Sequence, residues 1–221
     1  MKTTFKLAAP LAAAVFAMSS VYAAPVVLTF EGATDLASVN DFYNGGTDSL
    51  GASGPNFGIN FSTTSLALVD FDAGGNGNFA NEPSPSTILF FQAGGAATMN
   101  VAAGFNTGFS FFYTSTADGF VNVFDGLNGT GALLATLNLA ANNGNCVGDP
   151  NGTFCNFTPV GVAFVGTARS VDFGGAAGFI GFDDITLGDI IPGGTVPEPG
   201  TLGLLGLAAL GFASLRRKQQ A

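Results

Sequence analysis

The stretch GFSFFYTSTADGFVNVFD, Gly108–Asp125, decides the fold. Side chains alternate with a period of two along an extended segment, so Phe109, Phe111 and Tyr113 fall on one side of GFSFFYTS and that side is buried. A short polar break leads into a second run of the same kind, GFVNVFD. Helical periodicity is nearly absent.

Working outward, the same pattern recurs: VVLTF (Val26–Phe30), FGINFS (Phe57–Ser62), SLALVDF (Ser65–Phe71), STILFFQ (Ser86–Gln92) and ATMNVA (Ala97–Ala102) precede it. ALLATLNLA (Ala132–Ala140), VGVAFVG (Val160–Gly166), ARSVDFG (Ala168–Gly174) and FIGFDDITL (Phe179–Leu187) follow it. Short strands at this density, punctuated by Gly, Asn, Asp and Pro, predict an all-β antiparallel β-sandwich, foremost a jelly roll, with a barrel as the alternative. With 23 phenylalanines and no tryptophan in the chain, the aromatic residues are read chiefly as core. Phe71–Thr87 clusters Gly, Asn and Pro and is read as a long loop.

Both ends read differently from the body. Lys2 and Lys6, an apolar run from Leu7 to about Met18 and the box Val21-Tyr22-Ala23 arrive in the order of a secretory signal helix, cleaved after Ala23. At the other end, Thr201–Leu215 is free of charge, and as a helix it would extend about 22 Å against a hydrocarbon core of roughly 30 Å. Arg216, Arg217 and Lys218 follow as a basic stop, which the positive-inside rule keeps cytoplasmic. The organisation is therefore a signal at 1–23, a β domain at 24–189, a Pro/Gly linker at 190–196 and a tail at 197–221 holding a transmembrane helix at 201–215.

Charge narrows the functions available. Of six basic residues only Arg169 lies between signal and tail, and of fifteen acidic residues only Glu198 lies in the tail. Residues 24–196 thus carry fourteen acids and one base, a net charge near −13. Such a surface repels phosphate backbones and excludes nucleic acid as a partner, whereas divalent cations are its natural counter-ions. There is no histidine anywhere and no lysine in the body, which removes the usual hydrolytic triads, zinc sites and Schiff-base chemistry. The protein is read as non-catalytic, and the lesser alternative, a polysaccharide-acting enzyme using two carboxylates, has against it that Asp183 and Asp184 are adjacent and point to opposite faces of a strand.

Cys146 and Cys155 are the only cysteines, and an even count in an exported loop rich in Gly, Asn and Pro favours a Cys146–Cys155 disulfide. In FIGFDDITL, inward Ile185 and Leu187 would by alternation bring Asp183 to the same side and turn Asp184 out. A carboxylate at the core edge needs a partner: Arg169, the one internal cation, or calcium. Glu31 is the second candidate calcium ligand, although alternation sets it opposite Leu28 and Phe30 unless the strand bulges. The other reading of both residues is a pair of hydrogen-bonded, solvated carboxylates.

Two resemblances add to this. A first strand closing in Phe30-Glu31-Gly32 and a last strand Phe182-Asp183-Asp184-Ile185-Thr186-Leu187 resemble carbohydrate-binding jelly rolls of galactose-binding-like fold, which implies a structural calcium held by Glu31 and Asp183. A sugar contact would then fall to Tyr43, Tyr113, an exposed Phe or the Phe71–Thr87 loop. The tail, Val196-Pro197-Glu198-Pro199-Gly200 with its Leu/Gly/Ala span and Arg216-Arg217-Lys218, resembles the PEP-CTERM sorting signal of Gram-negative bacteria. That resemblance implies recognition of Pro197, Glu198 and Pro199 by an exosortase, transient anchoring in the inner membrane, and delivery to the cell surface or exopolysaccharide matrix. The body also resembles those of such proteins, whose suspected role lies in biofilm or floc matrix, so polysaccharide or other matrix components are the expected partners, with glycan binding as the alternative.

Overall fold

The computed structural model describes residues 24–149 and 151–194. The expected signal helix, its cleavage site after Ala23, the sorting motif, the transmembrane helix and the basic stop all lie outside the described residues.

Eleven strands and no helix make up the described residues: β1 (Val26–Leu28), β2 (Ile59–Phe61), β3 (Leu66–Val69), β4 (Thr87–Phe90), β5 (Ala96–Phe105) and β6 (Gly108–Ser115), then β7 (Gly119–Phe124), β8 (Leu133–Leu139), β9 (Thr158–Ala163), β10 (Ala168–Gly174) and β11 (Ile180–Leu187). Each falls within or upon one of the eleven segments expected from alternation. Boundaries differ most at β9, which is shifted back to Thr158–Ala163, and at β5, which runs on to Phe105.

All pairings are antiparallel and form two sheets. The first has the order β3-β4-β11-β6-β9, with β1 also against β11; the second has the order β2-β5-β10-β7-β8. One strand edge of β11 therefore serves two neighbours in succession: β4 pairs at Gly181 and Phe182, β1 at Ile185–Leu187. Asp183 and Asp184 lie in the gap between them.

Phenylalanine joins the sheets. Phe109, Phe111 and Phe182 of the first sheet meet Phe173 of the second at ring-centroid distances of 6.0, 6.1 and 5.0 Å, in tilted or edge-on arrangements that aromatic quadrupoles favour. Tyr113 shares their side of β6, as alternation requires, and is buried in the same core.

The polar loops are anchored by side chains. Asp48, only 3% exposed, accepts hydrogen bonds from the N–H groups of Thr34 (2.7 Å), Leu50 (2.9 Å) and Ala52 (3.0 Å), closing the connection between β1 and β2. Burial works to raise its carboxyl, but these donors outweigh burial and hold it below the ordinary carboxylate range. The segment read as linker begins against the body: Gly193 N donates to Thr186 Oγ1, and just before the segment Ser110 Oγ donates to Asp189 O, each at 3.0 Å.

Candidate functional site

The acidic site grows from two local breaks in strand geometry. Phe30 has a φ of +61°, in the left-handed region that a bulky residue enters only when its surroundings hold it there. Here they do. Its ring is fully buried against Tyr43 and Phe61, at 5.6 and 5.8 Å, and its N–H donates to the Tyr43 oxygen at 2.6 Å. Leu28 and Phe30 both reach the core, as alternation requires, and the turn at Phe30 directs Glu31 toward the segment that precedes β4.

The second break corrects the expected facing of Asp183. Phe182 pairs with Tyr113 and Asp183 with Phe112, so Asp183 lies on the sheet face opposite Phe111 and Tyr113. The register then shifts between Asp183 and Thr186, Asp184 takes a φ of +46°, and Ile185 returns to the core. A β-bulge thus lets Phe182 and Ile185, three residues apart, both point inward. Alternation counted back from Ile185 failed because it crossed this bulge.

Asp183 is nonetheless fully buried, under the Pro83–Ser86 segment. Ser84 N donates to its Oδ2 at 2.8 Å, Ser84 Oγ lies 2.7 Å from its Oδ1, and Asp184 N donates to the same Oδ1 at 2.7 Å. Glu31 is held by the same segment: Ser86 N and Thr87 N donate to Oε1 at 2.9 and 2.8 Å, and Ser86 Oγ to Oε2 at 3.0 Å. Arg169 is not the partner of Asp183. It lies on β10 in the other sheet, exposed, where its Nη1 donates to Ala102 O.

Ser84 Oγ is the centre of the arrangement. Besides Asp183 Oδ1 it faces Thr29 O at 3.0 Å, Thr87 O at 3.2 Å and Glu31 Oε1 at 3.4 Å. A hydroxyl carries one proton, so four acceptors compete for one donor. The electrostatics agree: burial pushes the Asp183 carboxyl up to about 7, against the pull of the Ser84 donors and with the help of the Asp184 charge. Burial likewise raises the Tyr43 phenol, and the Asp183 and Glu31 charges add to that.

Five oxygens therefore converge: two carboxylates, two backbone carbonyls and a hydroxyl. Such a hard-oxygen donor set fits Ca²⁺ in chemistry, with water completing the six to eight ligands it takes. Among the described residues no group of three or more His, Cys, Asp or Glu side chains is placed to hold a metal, so carbonyl oxygens would have to contribute.

The sequence reading missed Ser84, Thr29 and Thr87. Nothing local marks them, since Ser84 meets Asp183 across 99 positions of the chain. Ser84 itself is enclosed, at 4% exposed. Neither tyrosine named for sugar stacking is available, as Tyr43 is 3% and Tyr113 5% exposed and the Tyr113 hydroxyl donates to Ala140 O at 3.1 Å.

Cys146 and Cys155 are joined in a disulfide with Cα atoms 5.1 Å apart. The loop it closes is laid along the Asn78–Ala80 segment: Thr153 N and Phe154 N both donate to Asn78 O, and Ala80 N to Phe154 O.

Fold and composition thus define a class: an acidic, two-sheet antiparallel β body. Comparison with protein families finds the PEP-CTERM protein-sorting motif at residues 195–218. The chain therefore carries the C-terminal signal of an exosortase substrate, which places it among exported proteins anchored transiently in a membrane during processing. No curated protein matches the chain.

Proposed function

We propose that this protein is a non-catalytic structural component of the cell surface or exopolysaccharide matrix of a Gram-negative bacterium, delivered there by exosortase processing at Pro197-Glu198-Pro199. The observation that carries the proposal is the sorting motif at 195–218, joined to a body with one basic residue. The body is a jelly roll of galactose-binding-like type, a reading supported by the antiparallel pairing of its first and last strands, Val26 with Leu187. Its partners are polysaccharide and other matrix components, reached through acidic faces bridged by divalent cations. The absence of histidine and the enclosure of the Ser84–Asp183 pair favour a role without catalysis.

Calcium belongs to the same proposal. Glu31, Asp183, Thr29 O, Thr87 O and Ser84 Oγ would hold it, tying the end of β1 and the start of β4 to β11 at the gap in the sheet. A cation there would neutralise the two carboxylates and relieve the shortage of donors around Ser84.

The test uses the protein as cells make it. Intact mass of the surface-recovered protein is expected to correspond to loss of residues 1–23 and of the tail from the Pro-Glu-Pro region. Glu198→Ala, or deletion of the exosortase, is expected to leave the tail in place and the protein in the membrane fraction. A surface protein that keeps Arg216–Lys218 would refute processing. EDTA is expected to release the processed protein from the matrix, and retention after chelation would refute the cation-bridged role.

A further inference from the structure

The two sheets end in β3 and β9, and in β2 and β8, with the three-residue β1 beside β11. An open strand edge invites another strand, and three of these four edges are closed or blunted. The segment before β2 seals β3: Leu36 N donates to Ala67 O, Ala67 N to Ala37 O and Val39 N to Ser65 O. It seals β2 as well, where Ile59 N donates to Tyr43 O and Phe61 N to Asn40 O. β9 carries Pro159, which has no N–H, and Gly161, which weakens a strand.

β8 has no such device along its regular part. After an irregularity at Leu134, Ala135–Leu139 pairs in unbroken register with Gly119–Val123 of β7. Among the described residues no backbone group pairs with its other side. Every second residue there turns its N–H and C=O away from β7, so a row of donors and acceptors is on offer. We infer that β8 pairs antiparallel with β8 of a second copy of this chain, Leu137 opposite Leu137, which joins two five-stranded sheets into one. The inference goes beyond the sorting and matrix reading and stands without it.

Charge selects the partner. With a net charge near −13, two bodies repel over most of their surface. The chain from Gly126 to Gly148 contains no Asp, Glu, Lys or Arg, and β7 behind it has none either, with Asp118 and Asp125 standing beyond its two ends. Along this edge alone two copies approach without setting carboxylates against each other. A cationic strand, by contrast, would find no carboxylate here to pair with.

The side chains are self-complementary in that register. A two-fold axis perpendicular to the sheet sets Ala135 opposite Leu139 on the core side and Thr136 opposite Asn138 on the outer side. Leu137 and Leu139 are buried, while Thr136 and Asn138 are exposed, so apolar meets apolar and hydroxyl meets amide. A slip of one residue would turn the second copy's core face outward. Leu133, 55% exposed where the strand begins, is left for the second copy to cover. The contact is short, which sets the expected Kd at about 1–100 μM.

The experiment is sedimentation velocity on the full-length chain in detergent, from roughly 1 to 300 μM. EDTA is present throughout, so association through bridging cations, which belongs to the matrix reading, is measured apart from this contact. The parent is expected to dimerise, and more tightly as NaCl rises from about 20 to 200 mM, because salt screens the repulsion between bodies and spares an uncharged contact. Thr136→Glu with Asn138→Glu sets like charges opposite one another at both pairs and is expected to weaken the dimer about tenfold or more. Thr136→Glu with Asn138→Lys sets opposite charges there and is expected to hold the dimer within about threefold of the parent. Both positions are exposed, so Tm is expected to change little in either variant. A parent that stays monomeric at every concentration overturns the inference, whether the edge takes another protein's strand or none. A dimer indifferent to the paired glutamates overturns it too, since it then runs through another surface, and so does an equal loss in both variants. Cell fractionation of the same variants reads export and processing separately, so failure of the strand contact is distinguishable from failure of the sorting assignment.

Discussion

The Ser84 hydroxyl lies 2.7 Å from the Asp183 carboxylate although 99 positions of chain separate the two residues. The contact pins the approach to β4 against β11 where the sheet changes neighbours, and the Ser84 N–H reinforces it from the same residue. Ser84→Ala is expected to cost about 1–3 kcal/mol, because one buried carboxylate oxygen loses its closest hydroxyl partner. Urea denaturation of the variant and parent at neutral pH measures it, and an unchanged midpoint contradicts the role assigned to Ser84.

Calcium dependence follows from the same cluster. Millimolar Ca²⁺ is expected to raise Tm and EDTA to lower it in the parent protein, while Asp183→Asn and Glu31→Gln are expected to lose most of that response. Differential scanning calorimetry of the three proteins decides it. If EDTA leaves the parent Tm where it was, the cluster is a purely hydrogen-bonded one.

Asp48 sets one component of the acid response. Its folded-state carboxyl lies below its unfolded value, so the stabilisation it contributes is present above the ordinary aspartate range and is lost as pH falls through the lower, folded value. Asp48→Asn is expected to destabilise by about 1–3 kcal/mol at pH 7, since two or more N–H donors lose a charged acceptor. The difference between variant and parent should shrink toward zero below the folded value, and a difference that stays constant down to the acid limit would contradict the assignment.

Core packing and surface exposure predict opposite outcomes for two apolar truncations. Phe111 is fully buried among Phe109, Phe173 and Phe182, so Phe111→Ala is expected to cost about 3–5 kcal/mol. Val165 is 94% exposed, and Val165→Ala is expected to stay within about 0.5 kcal/mol. Chemical denaturation of both variants checks the pair.

Reduction of Cys146–Cys155 tests the loop that the bridge closes. The closed segment is short, so the chain-entropy contribution is about 2–3 kcal/mol, most of it local. Hydrogen exchange is expected to quicken at Thr153 and Phe154, whose N–H groups donate to Asn78 O, while amides of β10 and β11 keep their protection. Loss of protection throughout both sheets would show that the bridge supports the whole fold.

Much of this molecule was legible because its signals are local. Alternation of Phe109, Phe111 and Tyr113 named one buried face, and Gly, Asn, Asp and Pro marked most of the strand ends, since pleat and turn chemistry act over a few residues. The disulfide was readable from two cysteines in an exported loop, and the sorting segment from the order of motif, apolar span and basic stop. Glu31 and Asp183, named together as candidate calcium ligands, are both held by one segment, Ser84–Thr87.

The tertiary structure decided how those carboxylates are held. The left-handed turn at Phe30 depends on Tyr43 and Phe61, and the bulge at Asp184 depends on the registers of β1, β4 and β6 along β11, so neither is written in its own neighbourhood. Arg169 was one of the two partners the sequence offered to Asp183, beside calcium, yet sheet order carries it to β10, and neutral donors from a distant serine segment meet the carboxylate instead. Sequence alone determined what each segment is, because backbone preference and side-chain alternation are properties of neighbours. Which segments meet was decided by burial of the two sheet faces, a property of the whole chain.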